Sequence, residues 1–304
     1  MSTLKPNVLF LDDEVRIVNA LQALFRSDYN VFTATDPTTA LKIVKDNKIH
    51  VVVSDQRMPE MLGVELLRLV KEASPQTMRL LLTGYSDLDG IIGSVNEGEV
   101  FRYVNKPWNN DAMRSTIRLA ADVAFKVAAA GLPAPLVAGT LPDVIVLDDD
   151  NEIFKAVDTV YSKSAKVHHA TSVRQAMDIL ENGTVGVMIS DLRVGPEDIT
   201  TFLKLLRESY PLVVTIVLTA VKDGETVVSL INEGQIFRLL PKPPKNALVK
   251  LSIDSAMNRY TACKTEPKLL DRYRGQETKD KKLISPQILD RLKSLRNRFM
   301  SATR

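Results

Sequence analysis

The sequence contains little cysteine and little histidine, and their scarcity excludes several classes of site. Its 304 residues include a single cysteine, Cys263, and three histidines, which are His50, His168 and His169. One cysteine cannot form an internal disulfide and excludes most cysteine-based metal sites, although it suits a reducing compartment. The histidines do not follow the spacing of a metal site, so we expect them to lie in the core or on the surface.

Long apolar runs are also missing. The first six residues lack the apolar core of a signal peptide, and no window approaches the roughly 20 apolar residues of a membrane-spanning helix. Hydrophobic residues make up 45% of the chain and charged residues 25%, which is ordinary for a globular protein in water. We therefore expect a cytoplasmic protein, and its length suggests about two domains.

Positive charge is concentrated at the C-terminal end. The net charge is +3. Residues 261–304 contain 12 Lys and Arg against 5 Asp and Glu, whereas residues 1–260 contain 28 against 32. The sequence pI of about 8.8 is therefore a property of the tail, and the rest of the chain is mildly acidic.

A short strand that runs into a carboxylate is the most informative stretch. Val51–Val53 is a run of three β-branched residues followed by Ser54 and Asp55, which is typical of a strand buried on both faces. Taken alone, Asp55 is equally explained as the cap of a turn or of the next helix. However, the pattern recurs as Val187–Asp191, 136 positions later.

The same offset holds along most of the chain. It relates pairs of polar residues that each follow or end a predicted strand, namely Asp12-Asp13 with Asp148-Asp149, Thr83 with Thr219, and Lys106-Pro107 with Lys242-Pro243. A period of this length indicates two whole domains.

Each copy alternates five predicted strands with five predicted helices. The strands of the first copy are Val8–Leu11, Val31–Thr35, Ile49–Ser54, Met78–Thr83 and Val100–Asn105. Its helices are Val15–Arg26, Pro37–Lys45, Leu62–Ala73, Asp87–Asn96 and 111–129. In the second copy the strands are Val144–Leu147, Lys166–Ala170, Val185–Ser190, Val213–Thr219 and Ile236–Leu240, and the last helix is Lys245–Tyr260.

This alternation predicts an α/β fold with two flavodoxin-like (βα)5 doubly wound parallel-sheet domains in tandem, plus a basic C-terminal tail. We predict domains over 1–127 and 142–262, a linker over 128–141 and the tail over 263–304. Within the tail, Glu266–Lys282 is polar and is expected to be extended or disordered. A basic amphipathic helix is expected to begin at Ser285-Pro286, with apolar residues at Ile288, Leu289, Leu292, Leu295 and Phe299.

The repeated polar residues suggest phosphoryl chemistry. In such a sheet they share the carboxyl edge, and in the first copy they are Asp12, Asp13, Asp55, Thr83 and Lys106. Three nearby carboxylates repel unless a cation neutralises them, and Mg²⁺ suits a partly hydrated site with few carboxylates. Together with a hydroxyl and an ammonium, such a site could hold a phosphoryl group on a nucleophilic Asp55.

At these residues the chain resembles the receiver domain of bacterial two-component response regulators, present twice, over about residues 6–127 and 142–262. The resemblance implies transfer of phosphoryl groups from a phosphohistidine of a sensor histidine kinase or phosphotransfer protein to Asp55 and Asp191. It implies signalling to an unknown protein target through protein–protein interaction. It implies no enzyme activity beyond self-catalysed phosphotransfer and dephosphorylation.

The resemblance also assigns roles to the remaining site residues. The implied Mg²⁺ ligands are Asp12, Asp13, Asp55 and the backbone carbonyl of Arg57, and then Asp148, Asp149, Asp191 and the backbone carbonyl of Arg193. The implied phosphoryl-contacting and switch residues are Thr83, Lys106 and Tyr103, and then Thr219 and Lys242. A cis peptide bond is implied before Pro107 and before Pro243.

The two copies differ in ways that bear on function. Leu239 stands in the second copy where Tyr103, the aromatic switch residue, stands in the first. The loop after Asp191 also differs from the loop after Asp55. Arg57 and Arg193, each two residues after an acceptor, either reach the phosphoryl group or point to solvent.

Surface residues raise the question of dimerisation. In receivers the face made by the fourth helix, fifth strand and fifth helix is the usual dimer surface. We expect Trp108 to pack at a domain or dimer surface. Ion pairs across a homodimer are expected from charged residues in this region, which are Arg102, Asp111, Arg114 and Arg118.

Several other functions remain open alternatives. The basic tail invites a DNA-binding interpretation, but it has no helix-turn-helix of adequate length, so specific DNA binding is disfavoured. A phosphatase of the haloacid dehalogenase type would place a second Asp two residues after Asp12, where Glu14 stands. A scaffold with vestigial acidic pockets predicts loss of an acceptor or a lysine in one copy. The chain could also be the N-terminal part of a regulator with a further output domain.

Overall fold

The computed structural model describes residues 5–84, 100–130, 141–220, 228–234, 236–273 and 284–302. The chain divides into two compact units, each with its own five-stranded sheet. The first unit contains strands β1 (Asn7–Leu11), β2 (Asn30–Ala34), β3 (Val51–Asp55), β4 (Met78–Thr83) and β5 (Arg102–Asn105). Its helices are α1 (Val15–Phe25), α2 (Pro37–Asp46), α3 (Gly63–Ala73) and α4 (Asn110–Ala130).

The second unit repeats this pattern. Its main strands are β6 (Asp143–Leu147), β7 (Val167–Ala170), β8 (Val185–Ser190), β11 (Val214–Thr219) and β12 (Arg238–Pro241), and a small hairpin is formed by β9 (Arg193–Val194) and β10 (Glu197–Asp198). Its α-helices are α5 (Asn151–Tyr161), α6 (Val173–Asn182), α7 (Thr200–Ser209), α8 (Asn246–Thr265) and α9 (Pro286–Ala302). A π-helical turn covers Leu230–Gly234 and a 3-10 helix covers Pro267–Tyr273.

Both sheets are parallel and have the predicted strand order. The first is ordered β2-β1-β3-β4-β5, and the second has the equivalent order β7-β6-β8-β11-β12. The continuous apolar run Val51–Val53 is completely buried in the middle of the first sheet, because helices cover both of its faces. The flavodoxin-like prediction is confirmed for the strands.

Most predicted elements agree with the structure to within two residues at each end. The predicted helix Asp87–Asn96 and most of the predicted linker lie outside the described residues. Helix α8, which was predicted to end at Tyr260, continues to Thr265, because Tyr260 and Cys263 are both buried on its inner face.

The prediction of an extended or disordered segment from Glu266 onward is wrong over its first part. Residues 267–273 form the 3-10 helix, in which the side chain of Leu269 is only 6% exposed. One buried leucine among charged residues gives little periodic signal, which explains the error. The final amphipathic helix was predicted correctly and is α9.

The expectation that Arg102 supplies a surface ion pair is also wrong. Its side chain is completely buried, donates from Nη1 to the carbonyl of Phe101 at 2.7 Å, and lies 4.3 Å from the centre of the Phe101 ring. Arg114 instead pairs with Asp28 of its own unit at 3.3 Å. Asp111 and Arg118 are exposed. Trp108 is half-buried.

Within the described ranges, we find no helix with the length and apolar character needed to cross a bilayer.

A first prediction concerns the start of α2. The Asp36 side chain accepts a hydrogen bond from the backbone N–H of Thr39 at 2.8 Å, and Pro37 occupies the first helical position. The Asp36→Ala variant should lower the free energy of unfolding of the first unit by about 1 kcal/mol. Urea denaturation followed by the fluorescence of Trp108, the only tryptophan, measures this.

Asp36→Asn is the control, because asparagine caps a helix about as well as aspartate. An equal loss of stability in both variants would show that the capping hydrogen bond is not the cause.

Candidate functional site

The topology brings the first group of predicted residues to one edge of the sheet. Strands β1 and β3 are neighbours, with Leu11 opposite Ser54, so Asp12, which follows β1, lies beside Asp55, which ends β3. Thr83 ends β4, which pairs with the other side of β3. Lys106 follows β5, the next strand along. The sheet therefore assembles at its carboxyl edge four side chains that are up to 94 positions apart in sequence.

One ammonium group joins the two buried carboxylates. Lys106 Nζ lies 2.8 Å from Asp12 Oδ2 and 2.6 Å from Asp55 Oδ1. The remaining oxygen of Asp55 accepts a hydrogen bond from the backbone N–H of Arg57 at 3.0 Å. The remaining oxygen of Asp12 accepts one from the backbone N–H of Glu14 at 3.0 Å. All four carboxylate oxygens therefore have a partner.

The electrostatics follow from burial and from this shared cation. Burial raises the pKa of the Asp55 carboxyl above its ordinary value, and Asp12 adds to the rise, while Lys106 opposes it. Burial lowers the pKa of the Lys106 ammonium, but its contacts with Asp12 and Asp55 outweigh this and raise the pKa overall. The lysine therefore remains a cation at neutral pH.

The other predicted residues of this copy surround the pair. Thr83 is buried, and its hydroxyl donates to the carbonyl of Gly84 at 3.1 Å. Asp13 and Arg57 are exposed at the rim. Tyr103 is 3% exposed and lies opposite Leu81, two residues below the end of β4. The structure thus brings Asp12, Asp55 and Lys106 into direct contact and places the others at the same edge or behind it.

The second copy repeats the lysine contact. Lys242 Nζ lies 2.7 Å from Asp148 Oδ2 and 2.6 Å from Asp191 Oδ2. Burial raises the pKa of the Asp148 carboxyl, and the two carboxylates together raise the pKa of Lys242 despite its burial. Thr219 is buried at the end of β11, and Asp149 and Arg193 are exposed.

The surroundings of the two predicted acceptors, Asp55 and Asp191, differ. Asp55 is the last residue of β3 and pairs with Leu82, whereas β8 ends at Ser190 and leaves Asp191 outside the sheet. The Asp191 carboxylate accepts from the backbone N–H of the next residue, Leu192, at 2.6 Å. Its side chain is 19% exposed, against 9% for Asp55.

Sequence reasoning missed a glycine beside the first of these carboxylates. A Cβ atom on Gly63 would lie 2.0 Å from the carbonyl oxygen of Asp55, so only glycine allows α3 to approach the acceptor this closely. The equivalent residue of the second copy is Ile199, which is 1% exposed. Isoleucine carries a Cβ, so the close contact of Gly63 with the carbonyl of Asp55 has no direct counterpart there, although the equivalent backbone hydrogen bond, from the N–H of Ile199 to the carbonyl of Leu192, is kept at 3.0 Å. The sequence signal that could have revealed this difference is that isoleucine, at position 199, stands 136 positions after Gly63.

The hairpin after Asp191 was also not predicted. Strands β9 and β10 pair across Gly195, whose φ of 58° lies in the left-handed region that favours glycine. In the first copy the residues between Arg57 and Leu62 form no strand.

One of the histidines supports the second site. His169 Nε2 donates to the backbone carbonyl of Asp148 at 2.9 Å, and its ring stacks on Phe154 at 4.6 Å. This is a positioning contact, and all three histidines are partly buried. The expected cis bonds between Lys106 and Pro107 and between Lys242 and Pro243 are both present.

The donor set of each copy fits a hydrated divalent cation. Within the described ranges no three acidic, histidine or cysteine side chains converge into a metal cage. Asp12 and Asp55 are close enough to share one cation, as Lys106 shows, and the exposed Asp13 stands at the solvent side. A few carboxylates at a solvent-accessible rim match the preference of Mg²⁺ for oxygen ligands and retained waters.

Comparison with known proteins identifies the same two segments. The family model described as "Response regulator receiver domain" matches residues 8–118 and 144–253. The chain is 34% identical over 116 residues to the hydrogenase transcriptional regulatory protein HoxA of Bradyrhizobium diazoefficiens, covering 38% of this chain and 24% of that protein. It is 31% identical over 115 residues to the transcriptional regulatory protein ZraR of Escherichia coli, covering 38% of this chain and 26% of that protein.

The chain thus spans about a quarter of the length of the curated relatives that it matches. Among solved structures it matches the signal receiver domain of an HD domain-containing protein from Pseudomonas fluorescens at 32% identity. This match covers 42% of this chain and 96% of that one, with a TM-score of 0.41.

The shared lysine leads to a pKa prediction. In a Lys106→Met variant the opposing charge is gone, so burial and repulsion from Asp12 should raise the pKa of Asp55 further. Carboxyl-detected NMR titration measures this pKa, with Lys42→Met as the exposed control. The buried, unpaired carboxylate is charged only above its pKa. The variant should therefore lose stability relative to the wild type as the pH rises through that pKa. An unchanged pKa of Asp55 would contradict the role given to Lys106.

The close approach at Gly63 leads to a stability prediction. Gly63→Ala should lower the free energy of unfolding of the first unit by about 3 kcal/mol, the upper end for overpacking, because the new Cβ meets backbone. Ile199→Val at the matched position should cost only about 0.5–1.5 kcal/mol. Urea denaturation measures both. A cost below about 0.5 kcal/mol for Gly63→Ala would contradict the proposed contact.

Proposed function

The chain belongs to the response regulator receiver domain family, and on this premise we propose that it is a response regulator with two phosphoacceptor sites. Asp55 and Asp191 accept phosphoryl groups from the phosphohistidine of a sensor histidine kinase or phosphotransfer protein. The observation that carries the proposal is the lysine ammonium within 2.6 Å of each acceptor and also in contact with a second buried carboxylate.

The first site supplies the groups that transfer requires. An oxygen of the Asp55 carboxylate attacks the phosphorus atom; the new P–O bond forms while the P–N bond breaks, and its electron pair returns to the histidine ring. Negative charge on the phosphoryl oxygens is then stabilised by the Lys106 ammonium and by a hydrogen bond from the Thr83 hydroxyl. Thr219 and Lys242 have these roles in the second site.

A Mg²⁺ ion would supply further neutralisation of the phosphoryl oxygens. Its proposed ligands in the first copy are Asp12, Asp13, Asp55 and the backbone carbonyl of Arg57. In the second copy they are Asp148, Asp149, Asp191 and the backbone carbonyl of Arg193. The exposed rim positions of Asp13 and Asp149 support retention of water by the ion.

The protonation state of Asp55 sets a pH limit on the reaction. Only the carboxylate is a nucleophile, and burial raises the pKa of this carboxyl. Phosphorylation of Asp55 therefore declines as the pH falls through that pKa.

The organisation of the chain is part of the proposal. The segments predicted over 1–127 and 142–262 act as receivers; the linker between them follows α4, which ends at Ala130, and the basic tail follows α8, which ends at Thr265. The protein acts in the cytoplasm on a protein target rather than on a specific DNA sequence. Tyr103 acts as the aromatic switch of the first copy, and the second copy, with Leu239, lacks it. A scaffold with vestigial pockets is disfavoured, since both copies keep the acceptor and the paired lysine.

The test is intact-mass spectrometry after incubation with acetyl phosphate and Mg²⁺. The wild type should gain two phosphoryl groups, while Asp55→Ala and Asp191→Ala should each gain one. Asp111→Ala, which removes an exposed carboxylate outside both sites, is the matched control and should gain two. If no variant gains a phosphoryl group under conditions in which an unrelated receiver is modified, the proposal is wrong.

A further inference from the structure

The C-terminal helix α9 packs against helices α6 and α7 of the second copy. Leu292 and Leu295, one turn apart on α9, are 1% and 4% exposed. A cleft of about 830 Å³ beside this contact is lined by Phe202 at the start of α7 and Ile288 on α9. Burial of two leucines on one stripe of a basic amphipathic helix is the pattern of a helix bound to a specific surface.

Arg291 fixes the position of this helix. Its Nε and one terminal nitrogen donate to the two oxygens of Glu181, at 2.8 and 2.7 Å, and the same terminal nitrogen lies 2.6 Å from Asp178 Oδ1. The two-point contact with Glu181 is strong and directional, and it lowers the pKa of the Glu181 carboxyl. Arg298 donates to the backbone carbonyl of Glu181 at 3.1 Å, near the C-terminus of α6 where a cation is favoured.

The duplication shows that this surface is particular to the second copy. The positions equivalent to Asp178 and Glu181 in α2 are Lys42 and Lys45. Two carboxylates that attract Arg291 are thus replaced by two cations that would repel it. The positive charge of the tail is therefore matched to one of the two receivers, and two of its arginines are engaged within the chain.

The docked helix shares a cleft with the segment that follows Asp191. The Asp191 carboxylate accepts from the N–H of Leu192, and the carbonyl of Leu192 accepts from the N–H of Ile199 at 3.0 Å. Ile199 and Asp198 line the same cleft as Ile288 and Arg291. A phosphoryl group on Asp191 removes the charge from the bonded carboxylate oxygen and adds bulk beside Leu192. It therefore disturbs the hydrogen bond between the N–H of Leu192 and the Asp191 carboxylate.

We propose that the α6–α7 face of the second copy is a docking surface for a basic amphipathic helix, that α9 is its occupant, and that phosphorylation of Asp191 releases α9. The proposal rests on the proposed function of Asp191. The docked state corresponds to the unphosphorylated arrangement, in which Leu192 donates to the unmodified Asp191 carboxylate. A helix that binds one of two states more tightly is released when the other becomes populated.

The docking itself is tested by hydrogen exchange of residues 288–298 in the full chain. Glu181→Lys, which introduces the charge of the first copy, should speed exchange of this segment at least roughly tenfold by local undocking. Lys45→Glu is the matched control on α2 and should leave it unchanged. Equal exchange in the wild type and Glu181→Lys would overturn the docking surface.

The release is tested in Asp55→Ala, where only the second acceptor remains. Acetyl phosphate with Mg²⁺ transfers its phosphoryl group to an Asp191 oxygen and leaves as acetate. Exchange of residues 288–298 should then rise at least roughly threefold in the phosphorylated molecules. Asp191→Ala, treated identically, should show no rise in this segment.

Intact mass, measured on the same samples, separates the two possible failures. A phosphoryl group on Asp191 with unchanged exchange would overturn the release while leaving the proposed function intact. Absence of the phosphoryl group from Asp55→Ala would overturn both the release of α9 and the proposed acceptor function of Asp191. A rise in Asp191→Ala would assign release to the first acceptor and would also overturn the proposal.

Discussion

A lysine ammonium shared by two buried carboxylates is the contact on which each candidate site depends. Asp12 and Asp55 lie side by side because β1 and β3 are neighbours, and burial makes their mutual repulsion costly. Lys106 reaches them from β5, across β4, and removes that cost. In the second copy Lys242 makes the same contact and offsets the repulsion between Asp148 and Asp191. In the proposed function, a phosphoryl group that arrives at Asp55 or Asp191 therefore meets a cation that is already in place.

The two copies have the same carboxylate and lysine contacts but differ in the backbone around Asp55 and Asp191. Gly63 lets α3 approach the carbonyl of Asp55, which is the last residue of β3. Ile199 stands at the matched position of the second copy, and Asp191 lies beyond the end of β8, next to a hairpin. The two copies thus present the same chemical groups with different exposure and different backbone donors. In the proposed function, this difference is a physical basis for unequal phosphorylation rates or lifetimes.

The basic tail illustrates how a duplicated fold can distinguish its own halves. Helices α2 and α6 occupy equivalent positions, yet their outer faces carry lysines in one and carboxylates in the other. Arg291 on α9 discriminates between them, because it has two ion pairs on α6 and would meet two like charges on α2. The net charge of a segment says little about its partner until the residues that it contacts are known.

The sequence by itself determined the fold and most of the site. Apolar runs of strand length, alternating with helical periodicity, are local signals, and the constant offset of 136 placed the same polar residues after the same strands twice. The strand order of a doubly wound sheet then dictated that those residues share one edge. Even the amphipathic helix of the tail could be predicted, since its periodicity lies within its own residues.

Only the tertiary structure decided the features that depend on contacts between distant residues. Arg102 is buried, α8 continues past Tyr260, and residues 267–273 form a 3-10 helix with Leu269 buried. The tertiary structure also placed Gly63 against Asp55 and α9 against α6. Each outcome depends on what lies opposite a side chain in space. Local periodicity cannot encode this, because it records which face of an element is apolar but not which surface that face meets.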